Sequence, residues 1–113
     1  MFGVRNHAEV RKALRFFSER RIKTHFVDFK VRGPSIGELQ RFAGKFGVDR
    51  LIDRESRIFL DLGLGPARYG DAKWLQVLAD EPTLLVLPLV RSGNRLSIGP
   101  APAEWARWLT EGT

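Results

Sequence analysis

The chain has 113 residues, a hydrophobic fraction of 43% with 8 Phe and 3 Trp, and a formal net charge of +6. This length fits one compact domain with enough apolar surface to fold without a metal or a disulfide. The chain contains no Cys, which excludes disulfides, thiolate metal sites and thiol catalysis by its own side chains. It also lacks a run of about 18 apolar residues and a secretory signal, so we expect a cytoplasmic protein with no membrane segment.

The basic excess lies in the first half of the chain. Residues 1–60 contain 14 Lys and Arg against 7 Asp and Glu, whereas residues 61–113 contain 5 against 6. Such asymmetry favours encounter with an acidic or phosphate-bearing partner. A solvated basic helix face is the commoner cause of a charge run, and both interpretations stay open at this point.

The first elements in chain order are a strand, a helix and a second strand. Residues 2–4 are short and apolar, and Asn6 is a residue type that caps helices. The helix is predicted to end near residue 20, with apolar residues at helical spacing at Val10, Ala13, Leu14 and Phe17. Residues 23–31 are rich in β-branched and aromatic side chains and predict the second strand, and the crossover favours parallel pairing.

The middle of the chain is predicted to contain only helices and turns. Ser35 and Glu38 have the spacing of a capping box, which predicts a helix to about residue 46. Short helical pieces follow, in which we assign Phe59 and Leu62 to the core. Residues 63–70 predict a loop, and Asp71 is expected to cap the next helix.

The last third returns to strands. The run TLLVLPLV predicts a buried strand, although Pro88 removes a backbone donor and so belongs at an edge, a bulge or a cis turn. Ser92-Gly93-Asn94 predicts a hairpin turn, and a final helix carries Trp105 and Trp108. The order is therefore β-α-β, a helical region, then β-β-α.

This order, with a proline inside the third strand, is the thioredoxin-like arrangement, and the residues resemble the arsenate reductase and Spx family nearly end to end. NHAEVRKAL stands where the family has an N-C-x-x-C-R-K-A corner, and GPSIGEL resembles the opening of its inserted helices. DRESRIFLDLGL is similar to R-S-x-x-F-x-x-L, LPLV stands for R-P-I-V, and GNRLSIGPAPAEWARWL resembles the last hairpin and helix.

The resemblance implies an α/β fold with a four-stranded mixed sheet in a single domain, residues 1–113. A thioredoxin-like core would occupy residues 1–33 and 80–113, with a helical insert at 34–79. It also implies a cis peptide bond before Pro88.

The resemblance further implies that thiol catalysis has been lost. In catalytic members a thiolate at the helix start attacks arsenate or a partner sulfur. The attacking position matches His7, and the second position of the pair matches Val10. Leu87 stands where reductases carry an anion-binding Arg, and Ile98 or a neighbour replaces a further Arg. We therefore expect no catalytic residue, no cofactor and no redox activity.

A protein-binding role needs no cysteine. By resemblance, Spx-type members bind the C-terminal domain of the RNA polymerase α subunit through the inserted helices and act on transcription. The positions that match this contact are Gly47, Arg54, Ser56 and Arg57. Glu55 reverses the charge of the Arg expected before Ser56. Binding of this polymerase domain and binding of another protein both remain open.

An alternative is an arsenate reductase-like or glutaredoxin-like protein that keeps non-covalent oxyanion or thiol-substrate binding at the helix corner. The amides of Ala8, Glu9 and Val10, with His7 and Arg11 beside them, are the candidates. Glu9 repels an anion, and a plain capped helix start accounts for the same residues.

Two further classes are disfavoured. His7 and His25 are too few for a metal site, and carboxylate pairs such as Asp53 with Glu55 lie beside Arg residues. A pI near 10.5 invites direct nucleic-acid binding, but the thioredoxin-like arrangement has no usual groove-reading element. We expect a monomer that binds a protein.

Overall fold

The computed structural model describes residues 1–111, which fall into two compact units. Of the described residues, the first unit contains 1–31 and 87–111, and the second contains 32–86. Together the units contain five α-helices and one four-stranded mixed sheet, which confirms the predicted fold class. None of the helices within residues 1–111 is long and apolar enough to cross a bilayer.

The sheet belongs to the first unit. Its strands are β1 (Phe2–Gly3), β2 (Val27–Asp28), β3 (Leu89–Ser92) and β4 (Arg95–Ile98), in the spatial order β2-β1-β3-β4. The predicted parallel pairing of β1 with β2 is confirmed, and β1 also pairs antiparallel with β3. The turn at Gly93-Asn94 closes the predicted hairpin of β3 with β4.

Two predicted strands are shorter than expected. Only Val27 and Asp28 of residues 23–31 form a strand, because their partner β1 is itself two residues long. The third strand begins at Leu89, after the cis Leu87-Pro88 bond, while Leu85 forms an isolated bridge with Ile52 in the second unit. Pro88 has no N–H to donate to a ladder, so the strand starts behind it.

The core of the first unit is built around two helices, α1 (Ala8–Glu19) and α5 (Pro102–Glu111). From α1, Val10, Ala13 and Phe17 are buried as predicted, while Leu14 is half-buried. From α5, Trp105 and Trp108 are buried, and the Trp105 and Phe17 ring centroids lie 5.3 Å apart. These large side chains supply much of the apolar area that stabilises so short a sheet.

The second unit contains α2 (Ile36–Phe46), α3 (Arg57–Asp61) and α4 (Asp71–Asp80), with 3₁₀ turns at Val48–Leu51 and Pro82–Leu84. Its core residues with no exposed area are Leu39, Phe42, Leu51, Leu78 and Leu84. The Ser35 hydroxyl accepts a hydrogen bond of 3.1 Å from the Glu38 amide, so the predicted helix start is confirmed.

The prediction that Asp71 caps α4 is wrong. Gly70 occupies the capping position without a side-chain hydrogen bond, and Asp71 is the first helical residue. A carboxylate in the first turn still interacts favourably with the positive end of the helix dipole. Asp71 therefore indicates where the helix begins, but it is the first helical residue and not the cap.

Candidate functional site

The corner between β1 and α1 is closed by His7. Its Nδ1 accepts a hydrogen bond of 3.2 Å from the Glu9 amide, and its own amide donates to the Val4 carbonyl at 2.9 Å. The prediction that Asn6 caps the helix is therefore wrong. The helical ladder begins with the Arg11 amide donating to the His7 carbonyl, so the capping position falls one residue later, where a ring nitrogen is the available acceptor.

Two features of the corner oppose anion binding. One of the three amides proposed to hold an anion, that of Glu9, already donates to the His7 ring. The Glu9 carboxylate lies in the same turn and forms an ion pair of 3.2 Å with Lys12. An Nδ1 that accepts carries no proton, so a neutral ring holds its proton on Nε2. The geometry is that of a capped helix start.

Val10, at the second position of the family's cysteine pair, packs against β1. Its side chain has no exposed area, and a Cβ placed on Gly3 would lie 2.6 Å from Val10 Cγ2. Contact this close requires glycine at position 3, since real Cβ atoms do not approach other carbons so closely. Val10 is thus a core residue that fixes the distance between strand and helix.

The segment around Pro88 offers no charge to a ligand. The peptide bond between Leu87 and Pro88 is cis, as the resemblance implied. Leu87 is buried, and the Pro88 carbonyl accepts from the Gly99 amide at 2.8 Å. Ile98, the other position matched to an anion-binding Arg, is a half-buried aliphatic residue.

Three of the four predicted partner-binding residues, Arg54, Ser56 and Arg57, lie at the start of α3, and Gly47 lies at the end of α2. The Ser56 hydroxyl caps this helix, accepting from the Phe59 amide at 3.2 Å and donating to the Asp53 carbonyl at 2.8 Å. Arg54, in the turn before it, lies 3.0 Å from Asp49. Gly47 precedes Asp49 at the end of α2, with a φ of 86° that favours glycine.

Arg54 is engaged by the second unit itself. Its guanidinium lies 5.5 Å from the Phe59 ring centroid and 5.7 Å from that of Trp74, in addition to the Asp49 pair. Arg57 differs, because its side chain is 92% exposed and its nearest carboxylate, on Asp61, is 3.8 Å away. Of the two arginine side chains, that of Arg57 is therefore the more exposed, at 92% against 46% for Arg54.

A leucine that sequence reasoning missed lies beside Arg57. Leu60 is 67% exposed and is three residues from Arg57, so both lie on one side of the helix together with Asp61. We call Arg57, Leu60 and Asp61 the α3 face. The assignment of Phe59 to the core is confirmed, but that of Leu62 is wrong, since Leu62 is 49% exposed. The helix ends at Asp61, so helical spacing no longer directs Leu62 inward.

Within residues 1–111, no three His, Cys, Asp or Glu side chains cluster closely enough to hold a metal ion. The cysteine-free corner, the cis proline and the sheet order define a thioredoxin-like protein without the thiol of that class. The ArsC family model matches residues 2–108, and the chain belongs to the ArsC family.

Individual proteins are similar to this chain in sequence or in fold. An uncharacterized protein of Haemophilus influenzae is 28% identical over 100 residues, which cover 88% of each chain. The structure of the YFFB protein matches with a TM-score of 0.87 at 22% identity over 94% of both chains. The arsenate reductase from Vibrio cholerae matches with a TM-score of 0.81 at 19% identity, over 94% of this chain and 92% of that one. At such identities the structures establish a shared fold.

The capping role of His7 can be measured. Replacing His7 by Ala is expected to lower the free energy of unfolding by about 1 kcal/mol, because the Glu9 amide loses its acceptor. His7→Asn supplies a capping oxygen and should remain near the wild-type value. Urea unfolding followed by circular dichroism measures both, and equal stability of His7→Ala and the wild type would contradict the capping role.

Proposed function

We propose that this chain is a redox-inactive ArsC family member that works as a protein-binding module through the α3 face. The first partner to test is the C-terminal domain of the RNA polymerase α subunit, which acts in transcription. The observation that carries the proposal is the presentation of Arg57 beside Leu60 on a chain that has no cysteine. The proposal places the protein in the reducing cytoplasm, where such a polymerase is found.

The chain has no thiol group with which to carry out redox chemistry. Thiol–disulfide exchange requires a thiolate that attacks one sulfur of a disulfide, forms a mixed disulfide with it and releases the other sulfur as a thiolate. Met1 is the one sulfur-containing residue in the sequence, and a thioether does not form such a bond. His7 carries an imidazole that accepts a backbone hydrogen bond, and Val10 is aliphatic and buried.

The α3 face has the chemistry of a small protein interface. Arginine is enriched at interfaces, and an exposed leucine beside it adds apolar area that a partner can cover. The face is held firmly, because Ser56 caps the helix and Phe59 anchors it in the core of the second unit. A rigid face loses little conformational freedom on binding.

The charge of Arg57 favours an acidic partner. Its long distance from Asp61 leaves the guanidinium mostly hydrated, and a rim charge of this kind acts on encounter and on specificity. Arg54 stabilises the turn before α3 through its ion pair with Asp49 and its contact with the Phe59 ring. Its loss is expected to disturb the turn itself, so Arg57 gives the cleaner test.

A retention experiment tests the proposal. The purified polymerase α C-terminal domain is immobilised, and we expect it to retain the wild-type chain at low salt. Arg57→Glu should weaken the dissociation constant by about tenfold or more, since it reverses a charge at the interface. Isothermal titration calorimetry gives the dissociation constants.

Arg107→Glu is the matched control. Arg107 is an exposed arginine on α5 that pairs with Glu104 and Glu111, so the same charge reversal is made away from the α3 face. Its affinity should equal that of the wild type. Equal weakening by both variants would show that the binding depends on net charge and not on the α3 face. Absence of wild-type retention would exclude this polymerase domain, and glutathione-dependent reduction of arsenate by the purified chain would contradict redox inactivity.

A further inference from the structure

We propose that the first unit contains a second binding site, a pocket for a small amphipathic anion, at the end of β1 opposite to His7. The pocket is a cavity of about 460 Å³, which lies within the range of about 300–1,000 Å³ usual for small-molecule sites. Its walls come from four parts of the first unit: the residue before β1, the segment after α1, the β3–β4 hairpin and α5. His7 and Arg11 do not line it, so it is distinct from the helix corner.

The inner wall of the pocket is apolar. Phe17 and Trp108 are buried side chains that line it, and Leu109 is half-buried beside them. Ile22, which follows α1, lines the pocket and is 38% exposed, so it continues the apolar surface toward solvent. A ligand with an alkyl or aromatic body would cover this surface and remove it from water.

The polar lining of the pocket is basic. Its charged and titratable side chains are Lys23, His25, Arg91 and Arg95. Within the described part of the chain, none of the residues that line the pocket is Asp or Glu. Lys23 and Arg95 bring two permanent positive charges to one cavity, which favours a negatively charged ligand.

Arg95 is held in place at the rim. Its Nη1 donates a hydrogen bond of 3.0 Å to the carbonyl of Trp108 in α5. A guanidinium has five N–H donors in a fixed plane, so a group anchored by one bond keeps donors for an anion. This bond therefore orients a cation next to the apolar wall.

The apolar wall and the basic lining together select the class of ligand. A bare phosphate would form ionic contacts with the basic side chains but leave Phe17 and Trp108 uncovered. A neutral hydrocarbon would cover these two rings but form no ionic contact. A single carboxylate or sulfonate on an apolar body uses both at once. The site therefore fits a small carboxylic or sulfonic acid with an alkyl or aromatic body.

The experiment uses anilinonaphthalene sulfonate as a fluorescent probe and decanoate as a competitor. We expect saturable one-site binding that decanoate reverses. Amide signals should shift at residues 22–25, 90–92 and 108–109, and those at residues 7–11 should stay in place. The double variant Lys23→Glu with Arg91→Glu should weaken probe binding by about tenfold or more, because two lining cations become anions.

The matched control is the double variant Arg15→Glu with Lys30→Glu. It makes the same change of net charge at exposed positions of the first unit that do not line the pocket. Its affinity should stay within about twofold of the wild type, since the changed charges are exposed, screened by salt and outside the lining. Ile22→Ser tests the apolar wall separately and should weaken decanoate more than acetate.

Three results would overturn the pocket. They are shifts confined to residues 7–11, equal weakening by the two double variants, and unchanged affinity in Lys23→Glu with Arg91→Glu. Retained amide dispersion shows that each variant is folded. The α3 face is tested with other residues and another ligand, so failure of one proposal leaves the other standing.

Discussion

Replacing Trp105 by Ala is expected to lower the free energy of unfolding by about 3–5 kcal/mol, as is usual when a buried aromatic side chain is removed. Trp105 is 2% exposed, and its ring centroid lies 5.4 Å from that of Phe16 and 5.3 Å from that of Phe17. Its indole N–H donates to the buried Ser97 hydroxyl at 2.8 Å. One side chain therefore joins α5 to α1 and to β4.

The packing and the hydrogen bond of Trp105 can be separated. Trp105→Phe keeps a ring in place but removes the donor to Ser97, so a smaller cost of about 1–3 kcal/mol is expected. Adding Ser97→Ala should recover part of that cost, because the hydroxyl is then no longer buried without its donor. Chemical denaturation of the four proteins gives the values. A Trp105→Ala variant no less stable than Trp105→Phe would show that the ring does not anchor the helix.

Gly3→Ala is the second large effect, with an expected loss of about 1–3 kcal/mol from overpacking. The added methyl group would lie 2.6 Å from Val10 Cγ2 and 3.3 Å from Cγ1, and the Val10 side chain is fully buried, so the strand or the helix must shift. Thermal and urea unfolding measure the loss. The effect arises between β1 and the first turn of α1, so it reports on how closely this chain packs the corner that His7 closes.

The cause is established by a double-mutant cycle. Val10→Ala creates a cavity and is destabilising alone, but it removes both methyl groups that the new side chain would meet. The cost of Gly3→Ala should therefore be smaller in the Val10→Ala background, with a coupling energy well above the additive limit of about 0.5 kcal/mol. Gly44→Ala is the control, since a Cβ there meets nothing within 4 Å and helix propensity favours alanine. Additive losses would contradict the proposed clash.

The fold was largely predictable because its signals are local. Apolar spacing predicted α1, Ser35 with Glu38 predicted the start of α2, and Gly93-Asn94 predicted the hairpin turn. The predictions for Asn6 and Asp71 failed by one residue, because the backbone geometry and not the side-chain type sets where a helix begins: the His7 ring caps α1, and α4 begins after Gly70 without a side-chain cap. The predicted second strand was too long because a strand extends only as far as its partner does.

The candidate sites were only partly predictable. Composition excluded thiol chemistry, and resemblance placed His7, Val10 and Pro88. The exposure of Leu60 was missed, because a helix of five residues cannot turn every apolar residue inward. The engagement of Arg54 by Asp49 and two aromatic rings was also missed, since one of those rings, Trp74, lies twenty residues further along the chain.

By itself the sequence determined which elements form, in what order, and that no thiolate can act. The reason is that propensity and periodicity depend only on residues close together in the chain, and composition does not depend on position at all. Only the tertiary structure decided that His7 caps a helix, that Val10 requires Gly3 beside it, and that Lys23, Arg95 and Trp108 share one cavity. The physical reason is that burial and charge at a point depend on side chains brought together from distant parts of the chain, and their packing exists only once the sheet and helices have assembled.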